Sequence, residues 1–112
     1  FNMNVYSSAH ELASAIKASN EFMDYDKLRK EIEQDPTLNQ MISDIQKRQI
    51  EIQAKQLSGE EIGQEAMAQM QSMYAMMSSN PKAAEYMQAE ARFAIMMKDV
   101  YEILSDVVKI NI

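Results

Sequence analysis

Two short sequences, Asp35-Pro36 and Asn80-Pro81, constrain the fold of this chain more than any other feature. In each pair, the side-chain oxygen of the first residue can accept hydrogen bonds from the free backbone N–H groups at the start of a helix. The proline fits the first helical position, where its missing N–H costs nothing. Neither Gly nor Pro interrupts residues 37–58 or 82–112. Each pair therefore predicts the start of a long helix.

Two weaker breaks divide the rest of the chain. At Ser58-Gly59, the glycine can adopt the left-handed conformation that ends a helix, and Ser58 and Glu61 have the spacing of a capping box for a following helix. A softer break lies at Ser19-Asn20. Together these signals predict five helices, at about 5–18, 21–34, 36–57, 61–79 and 81–108.

The two long helices predict an elongated molecule. At a rise of 1.5 Å per residue, they would extend about 33 and 42 Å, whereas a compact domain of this size has a radius of gyration near 13 Å. The 112 residues predict one domain, 1–112. Phe1 and Asn2 precede Met3 and are interpreted as a remnant upstream of the native start. We expect an all-α, elongated bundle of about five helices, dimeric through the two long ones.

Five of the 11 methionines lie within residues 67–77. One face of this helix, an arc of roughly 80°, collects Ile62, Ala66, Met70, Met73 and Met77. A Cu(I) site would need converging thioethers with help from Cys or His, and this helix has neither. Packing in the core or at an interface is therefore favoured over an exposed partner groove or a metal site.

The last helix carries the pattern that predicts a dimer. Its main stripe recurs at spacings of three and four, at Tyr86, Ala89, Phe93, Met97, Val100, Leu104 and Val107. A second apolar strip on the opposite side comprises Ala84, Met87, Ala91 and Ile95. A helix that is apolar on two sides contacts two neighbours, and a two-fold homodimer is the commonest way to supply one. The candidate residues for core or dimer packing are Met70, Met73, Met77, Tyr86, Phe93, Met97, Val100 and Leu104.

The third helix has polar residues on its apolar stripe. Gln49 and Gln56 share a face with Leu38, Ile45 and Ile52. The favoured interpretation is that these amides lie at a solvated margin. The alternative is that they hydrogen-bond across a helix pair and fix its alignment, as polar groups in coiled-coil seams do.

The residue types needed for catalysis or metal binding are largely missing. The sequence has no Cys, which excludes disulfides, thiolate metal sites and thiol catalysis. Its one histidine, His10, begins a pattern like that of zinc proteases, but Ser14 stands where the second ligand would be. No Glu-x-x-His pair or Gly-rich phosphate loop is present. We predict a protein without catalytic residues, metal or cofactor.

The net charge and the hydropathy of the chain limit the kinds of partner that we expect it to bind. The net charge of −6 disfavours direct binding to nucleic acid and to anionic membranes. Lys27, Arg29, Lys30, Lys47 and Arg48 form small basic spots that are typical of an ordinary mixed surface, although an acidic partner could use them. No apolar run approaches the roughly 20 residues of a membrane span, and no export signal precedes the first helix. We expect a cytoplasmic protein.

The order of several segments resembles a known family. In chain order they are VYSSAHELASAIKASNEF, IEQDPTLNQMISDIQKRQIEIQ, GEEI, SSNPKAAEYMQAEARF and KDVYEIL. This order, over nearly the whole chain, is similar to that of the YlbF/YmcA family, close to its YheA-like UPF0342 branch.

The resemblance implies an all-helical bacterial protein that dimerises through long helices. Characterised relatives are non-enzymatic regulators of competence, sporulation and biofilm formation, act in complexes with further proteins, and are linked to RNA processing. Some hold an iron–sulfur cluster on cysteines, which this chain lacks. Two hypotheses follow: a regulatory or scaffold protein acting through protein–protein interaction, or a helical sensor with a Met-lined interior that binds a small apolar molecule.

Overall fold

The computed structural model describes residues 4–109, which fold into helices joined by short connections. The five helices are α1 (Val5–Lys17), α2 (Asn20–Glu33), α3 (Pro36–Leu57), α4 (Gln64–Ser78) and α5 (Pro81–Val108). The predicted all-α class and the number of helices are confirmed. Phe1 and Asn2, the expected remnant, lie outside the described residues.

The predicted caps set most helix boundaries. The Asp35 carboxylate accepts a hydrogen bond from the Leu38 amide at 3.2 Å. The Asn80 side chain accepts from the amides of Lys82 and Ala83 at 3.0 and 3.2 Å. Each cap is followed by proline at the start of its helix, as the sequence indicates.

The capping box predicted at Ser58 is wrong. Gly59 has φ +80° and ends α3: its amide bonds to the Gln56 carbonyl and the next amide bonds to the Lys55 carbonyl. The Ser58 hydroxyl also donates to the Lys55 carbonyl and so belongs to the end of α3. Helix α4 therefore begins later than residue 61, after Gly63, which provides no side-chain cap.

The helices pair side by side into a thin, elongated body. Helix α2 runs antiparallel along the first half of α5, and α3 and α4 form an antiparallel hairpin that contacts both. Helix α1 packs on α2. The Cα radius of gyration is 17.8 Å and the extents are 57 × 37 × 17 Å, well beyond the roughly 13 Å of a compact domain. The predicted elongation is confirmed.

The core occupies one part of this body. Its buried side chains come from α2, α3, α4 and the start of α5: Ile32, Leu38, Ile42, Ile45, Met70, Met77, Ala83, Tyr86 and Ala89. All of them lie between Ile32 and Ala89. Helix α1 and residues 91–108 of α5 contribute none.

Candidate interaction surface

The candidate packing residues divide into three groups by burial. Met70, Met77 and Tyr86 are buried in the core. The half-buried group comprises Met73, Phe93, Met97 and Val100. Leu104 remains 48% exposed. The methionine-rich helix thus buries one face within the protomer, while the stripe along α5 passes from the core to the surface.

Four aromatic rings mark the point where the α5 stripe leaves the core. Tyr25 of α2 stacks on Phe93 at 5.1 Å between ring centroids and on Tyr86 at 5.8 Å. Phe22 meets Phe93 edge to face at 5.6 Å. Such pairs stabilise a contact beyond their buried area. The α2 rings were not among the predicted site residues, although Phe22 and Tyr25 have the i, i+3 spacing of one helical face.

Beside these rings, α3 and α5 share a polar contact. The Tyr86 hydroxyl donates to the Glu90 carboxylate at 3.1 Å, and the Gln46 amide donates to the same oxygen at 3.4 Å. Burial, with a smaller contribution from the negative charge of Glu90, raises the pKa of Tyr86 above its ordinary value. The phenol therefore stays protonated at neutral pH and serves as a hydrogen-bond donor.

The glutamines on the α3 stripe have different roles. Gln49 is half-buried and donates its amide N–H to the Tyr74 hydroxyl of α4. Gln56, two turns further on, is exposed. The cross-helix alternative thus applies to Gln49, and the solvated margin applies to Gln56.

Three of the five residues in the basic spots, Arg29, Lys30 and Arg48, are paired with nearby carboxylates. Arg29 and Lys30 reach Asp26 at 2.6 and 2.9 Å, and Arg29 also reaches Glu33 at 2.7 Å. Hydrogen bonds from Lys30 and Arg29 lower the pKa of the Asp26 carboxyl. Arg48 lies 3.6 Å from Glu51. These pairs are typical of a solvated surface and contribute little stability.

Two features of the described residues bear on metal and ligand binding. Between Asn4 and Lys109, no group of three or more His, Asp or Glu side chains is arranged to hold a metal ion. A cleft of about 600 Å³ between α3 and α4 is lined by Pro36, Thr37, Gln40, Met41, Asp44, Met73 and Met76. It opens widely to solvent, whereas small-molecule sites bury most of their ligand.

Most of the exposed large apolar side chains of the described residues lie on α1 and residues 91–108 of α5, where the core ends. We call α1 together with residues 91–108 of α5 the open end. Its exposed apolar side chains, with the exposed fraction of each, are Val5 (74%), Tyr6 (79%), Ile95 (61%), Tyr101 (62%), Ile103 (67%), Leu104 (48%), Val107 (84%) and Val108 (58%). Clusters of large exposed apolar side chains are typical of protein–protein contacts.

These features define a class: a small, elongated, all-helical protein with many exposed apolar side chains. Comparison with known proteins then identifies the family. The model of the family described as "Control of competence regulator ComK, YlbF/YmcA" matches residues 5–109. The chain belongs to this family, as the resemblance predicted.

Individual relatives agree with that assignment. A UPF0342 protein of Caldicellulosiruptor bescii is 42% identical over 103 residues, covering 92% of this chain and 87% of the relative. Another, from Caldicellulosiruptor saccharolyticus, is 36% identical and covers 96% of this chain and 90% of the relative. Each alignment therefore covers most of this chain and most of the relative.

Solved structures support the fold. A protein of unknown function (DUF964) from Bacillus stearothermophilus superposes with a TM-score of 0.77 at 25% identity, covering 94% of this chain and 92% of that one. The yheA protein from Bacillus subtilis has a TM-score of 0.65 at 20% identity, covering 96% and 97%. In the part of this chain that the structure describes, no helix is both long and apolar enough to cross a membrane.

Proposed function

We propose that this chain is a non-enzymatic bacterial regulatory or scaffold protein that acts through protein–protein contacts. It works as a homodimer of one helical domain in the cytoplasm, with further regulatory proteins as partners and without direct contact with nucleic acid or membrane. The process it serves is of the kind regulated by YlbF/YmcA proteins: competence, sporulation and biofilm formation.

The observation that carries this proposal is the amount of surface the protomer exposes. Its accessible area is 8637 Å². A compact monomer of 12.8 kDa exposes about 6,300 Å². The surplus of about 2,300 Å² exceeds the roughly 800 Å² that each partner hides in a standard protein–protein interface. The exposed surface is thus large enough for a protein–protein interface, which supports the proposal.

The family supports the regulatory part of the proposal. Its description names control of a competence regulator. The curated relatives carry only the name UPF0342 protein, which specifies no reaction. The regulated process is therefore transferred to this chain from the family as a whole.

The test combines native mass spectrometry with affinity capture. We expect purified protein to have twice the mass of the chain, with no bound small molecule or metal. Tagged protein expressed in a host of the family should retain specific regulatory proteins, identified by mass spectrometry, through a wash at about 0.5 M salt, which screens weak ionic contacts. A stoichiometric small molecule would instead favour the sensor hypothesis, and a monomer without partners would contradict the proposal.

A further inference from the structure

On the basis of the proposed homodimer, we infer that the open end is the dimer interface. Helix α1 and residues 91–108 of α5 from one protomer pack with the same two segments of a second copy. The product is a four-helix bundle between subunits, in which each protomer supplies two helices. The core from Ile32 to Ala89 remains within each protomer, on either side of this bundle.

The distribution of buried side chains along the chain indicates where the second copy binds. Every buried side chain among residues 4–109 lies between Ile32 and Ala89. Helix α2 begins at Asn20, near the aromatic contact with Phe93, so the rest of α5 runs past the start of its neighbour. Val107, on the same stripe as the buried Tyr86, is 84% exposed. A stripe that continues unchanged beyond its intrachain partner requires a second one.

The helical pattern of the open end matches a bundle. On α5 the positions of Phe93, Met97, Val100, Leu104 and Val107 fall within about 80° of one another. Tyr101 and Ile103 extend this face to about 160°, wide enough for two neighbours. Four charged residues of this segment, Lys98, Asp99, Glu102 and Asp106, lie on the opposite side, and the fifth, Arg92, lies at the edge of the face. Closing the apolar face therefore leaves four of the five charges in solvent and Arg92 at its margin.

Helix α1 provides a matching surface. Val5, Ala9, Leu12 and Ile16 recur at spacings of four, three and four along one side. The helix has 13 residues, about 20 Å of length, and residues 93–107 of α5 span about 21 Å. Two helices of equal length from each of two copies can thus cover one another along their whole length, as four-helix bundles do.

The exposed area favours a second copy as the occupant. The surplus of about 2,300 Å² per protomer lies within the range hidden by obligate homodimers, whose interfaces resemble a protein core cut in half. The open end supplies two apolar helices per protomer, the number that half of such a bundle needs. A two-fold axis closes the contact without leaving an unmatched surface.

The first test uses a matched pair of charge substitutions. Val107 and Leu57 have nearly equal exposure, 84% and 89%, but Leu57 is on α3 and outside the open end. We expect Val107→Glu, and likewise Leu104→Glu, to weaken dimerisation roughly 30-fold or more in light scattering over a concentration series. Leu57→Glu should leave the dissociation constant unchanged. Circular dichroism checks that each variant keeps its helix content.

A second test measures protection directly. Because the chain has no Cys, Val107→Cys and Leu57→Cys each carry a single thiol. We expect alkylation of Val107→Cys to slow by about tenfold or more when the protein is concentrated into the dimer, because only the remaining monomer exposes the thiol. Alkylation of Leu57→Cys should proceed at the same rate at every concentration.

The outcomes separate this inference from the proposed function. If the wild-type protein is dimeric while Val107→Glu and Leu104→Glu dimerise as tightly as wild type, the interface lies elsewhere and only the location is wrong. Dissociation by Leu57→Glu alone would place the contact on the α3–α4 hairpin. A monomeric wild type would overturn the homodimer and its interface together. Capture of a different protein on the open end of a monomer would do the same.

Discussion

The ring of Tyr25 lies nearly parallel to that of Phe93, with 9° between the planes and 5.1 Å between the centroids. This contact joins α2 to α5 at the boundary between the buried core and the open end. Phe93 is therefore the last residue of the α5 stripe with an aromatic neighbour in its own chain, among the residues described. Its removal tests the packing of both regions.

Truncation of Phe93 should destabilise the protein strongly. Phe93→Ala removes a half-buried ring with two aromatic neighbours, and we expect a loss of about 2–4 kcal/mol in the free energy of unfolding. The control, Met76→Ala, changes a side chain that is 56% exposed and should cost less than about 1 kcal/mol. Urea denaturation measures both. Equal small losses would contradict the assignment of these two helical faces.

The concentration dependence of the same variant tests the dimer. Dimer formation stabilises the folded protomer by mass action, so the melting temperature rises with concentration. If Phe93 supports the inferred bundle, this dependence should be steeper for Phe93→Ala than for Met76→Ala. Differential scanning fluorimetry over a hundredfold range, on the order needed to cross the dissociation constant, records it.

Tyr86 should make the protein sensitive to alkaline pH. Its pKa is raised in the folded state, chiefly by burial, from an ordinary value of 10.0. The folded protein therefore retains a proton that the unfolded chain loses. This contribution to stability is complete below about pH 10 and is lost as the pH rises through the raised pKa.

The corresponding variant is Tyr86→Phe, which has no phenol to ionise. Between pH 8 and 11, wild type should lose about 1 kcal/mol more of its unfolding free energy than Tyr86→Phe does. Tyr101→Phe, at a position that is 62% exposed, should follow wild type. Parallel curves for Tyr86→Phe and wild type would contradict the role of this buried phenol.

The hydrogen bond from Gln49 to Tyr74 should fix the alignment of α3 and α4. Tyr74→Phe leaves the half-buried amide without this partner, and we expect a loss of about 1–2 kcal/mol. The double variant Gln49→Leu/Tyr74→Phe should recover part of it, which a double-mutant cycle measures. Gln56→Leu, at an exposed position on the same stripe, is the control. Additive losses would mean that the two side chains act independently.

Local chemistry explains which parts of the fold the sequence predicts. Asp35 and Asn80 cap helices in the structure because each needs only the amides two or three residues ahead. Ser58 fails as a cap for the same kind of reason, since Gly59 turns the chain away and the Ser58 hydroxyl bonds backwards to Lys55. Caps depend on short segments, so composition and spacing are sufficient to predict most of them.

Predicting the candidate surface from the sequence would require information on how distant segments pack. Tyr86 and Val107 belong to the same apolar stripe, yet one is buried and the other is 84% exposed. The difference arises because α2 covers only the first half of α5, and periodicity along α5 carries no information on where its neighbour begins. The sequence therefore predicts the stripe, and the structure divides it into a core segment and an open segment.

The two glycines provide a matched test of this local chemistry. Gly59 has φ +80° and Gly63 has φ −64°, and a Cβ built on either would meet no atom within 4 Å. Any difference between their alanine variants is therefore conformational. Gly59→Ala must hold a left-handed backbone and should cost about 1 kcal/mol. Gly63→Ala should cost less, because the N-cap preference for Gly over Ala at the start of α4 is partly offset by restriction of the unfolded chain. Thermal unfolding compares the two. Equal effects would contradict the left-handed end of α3.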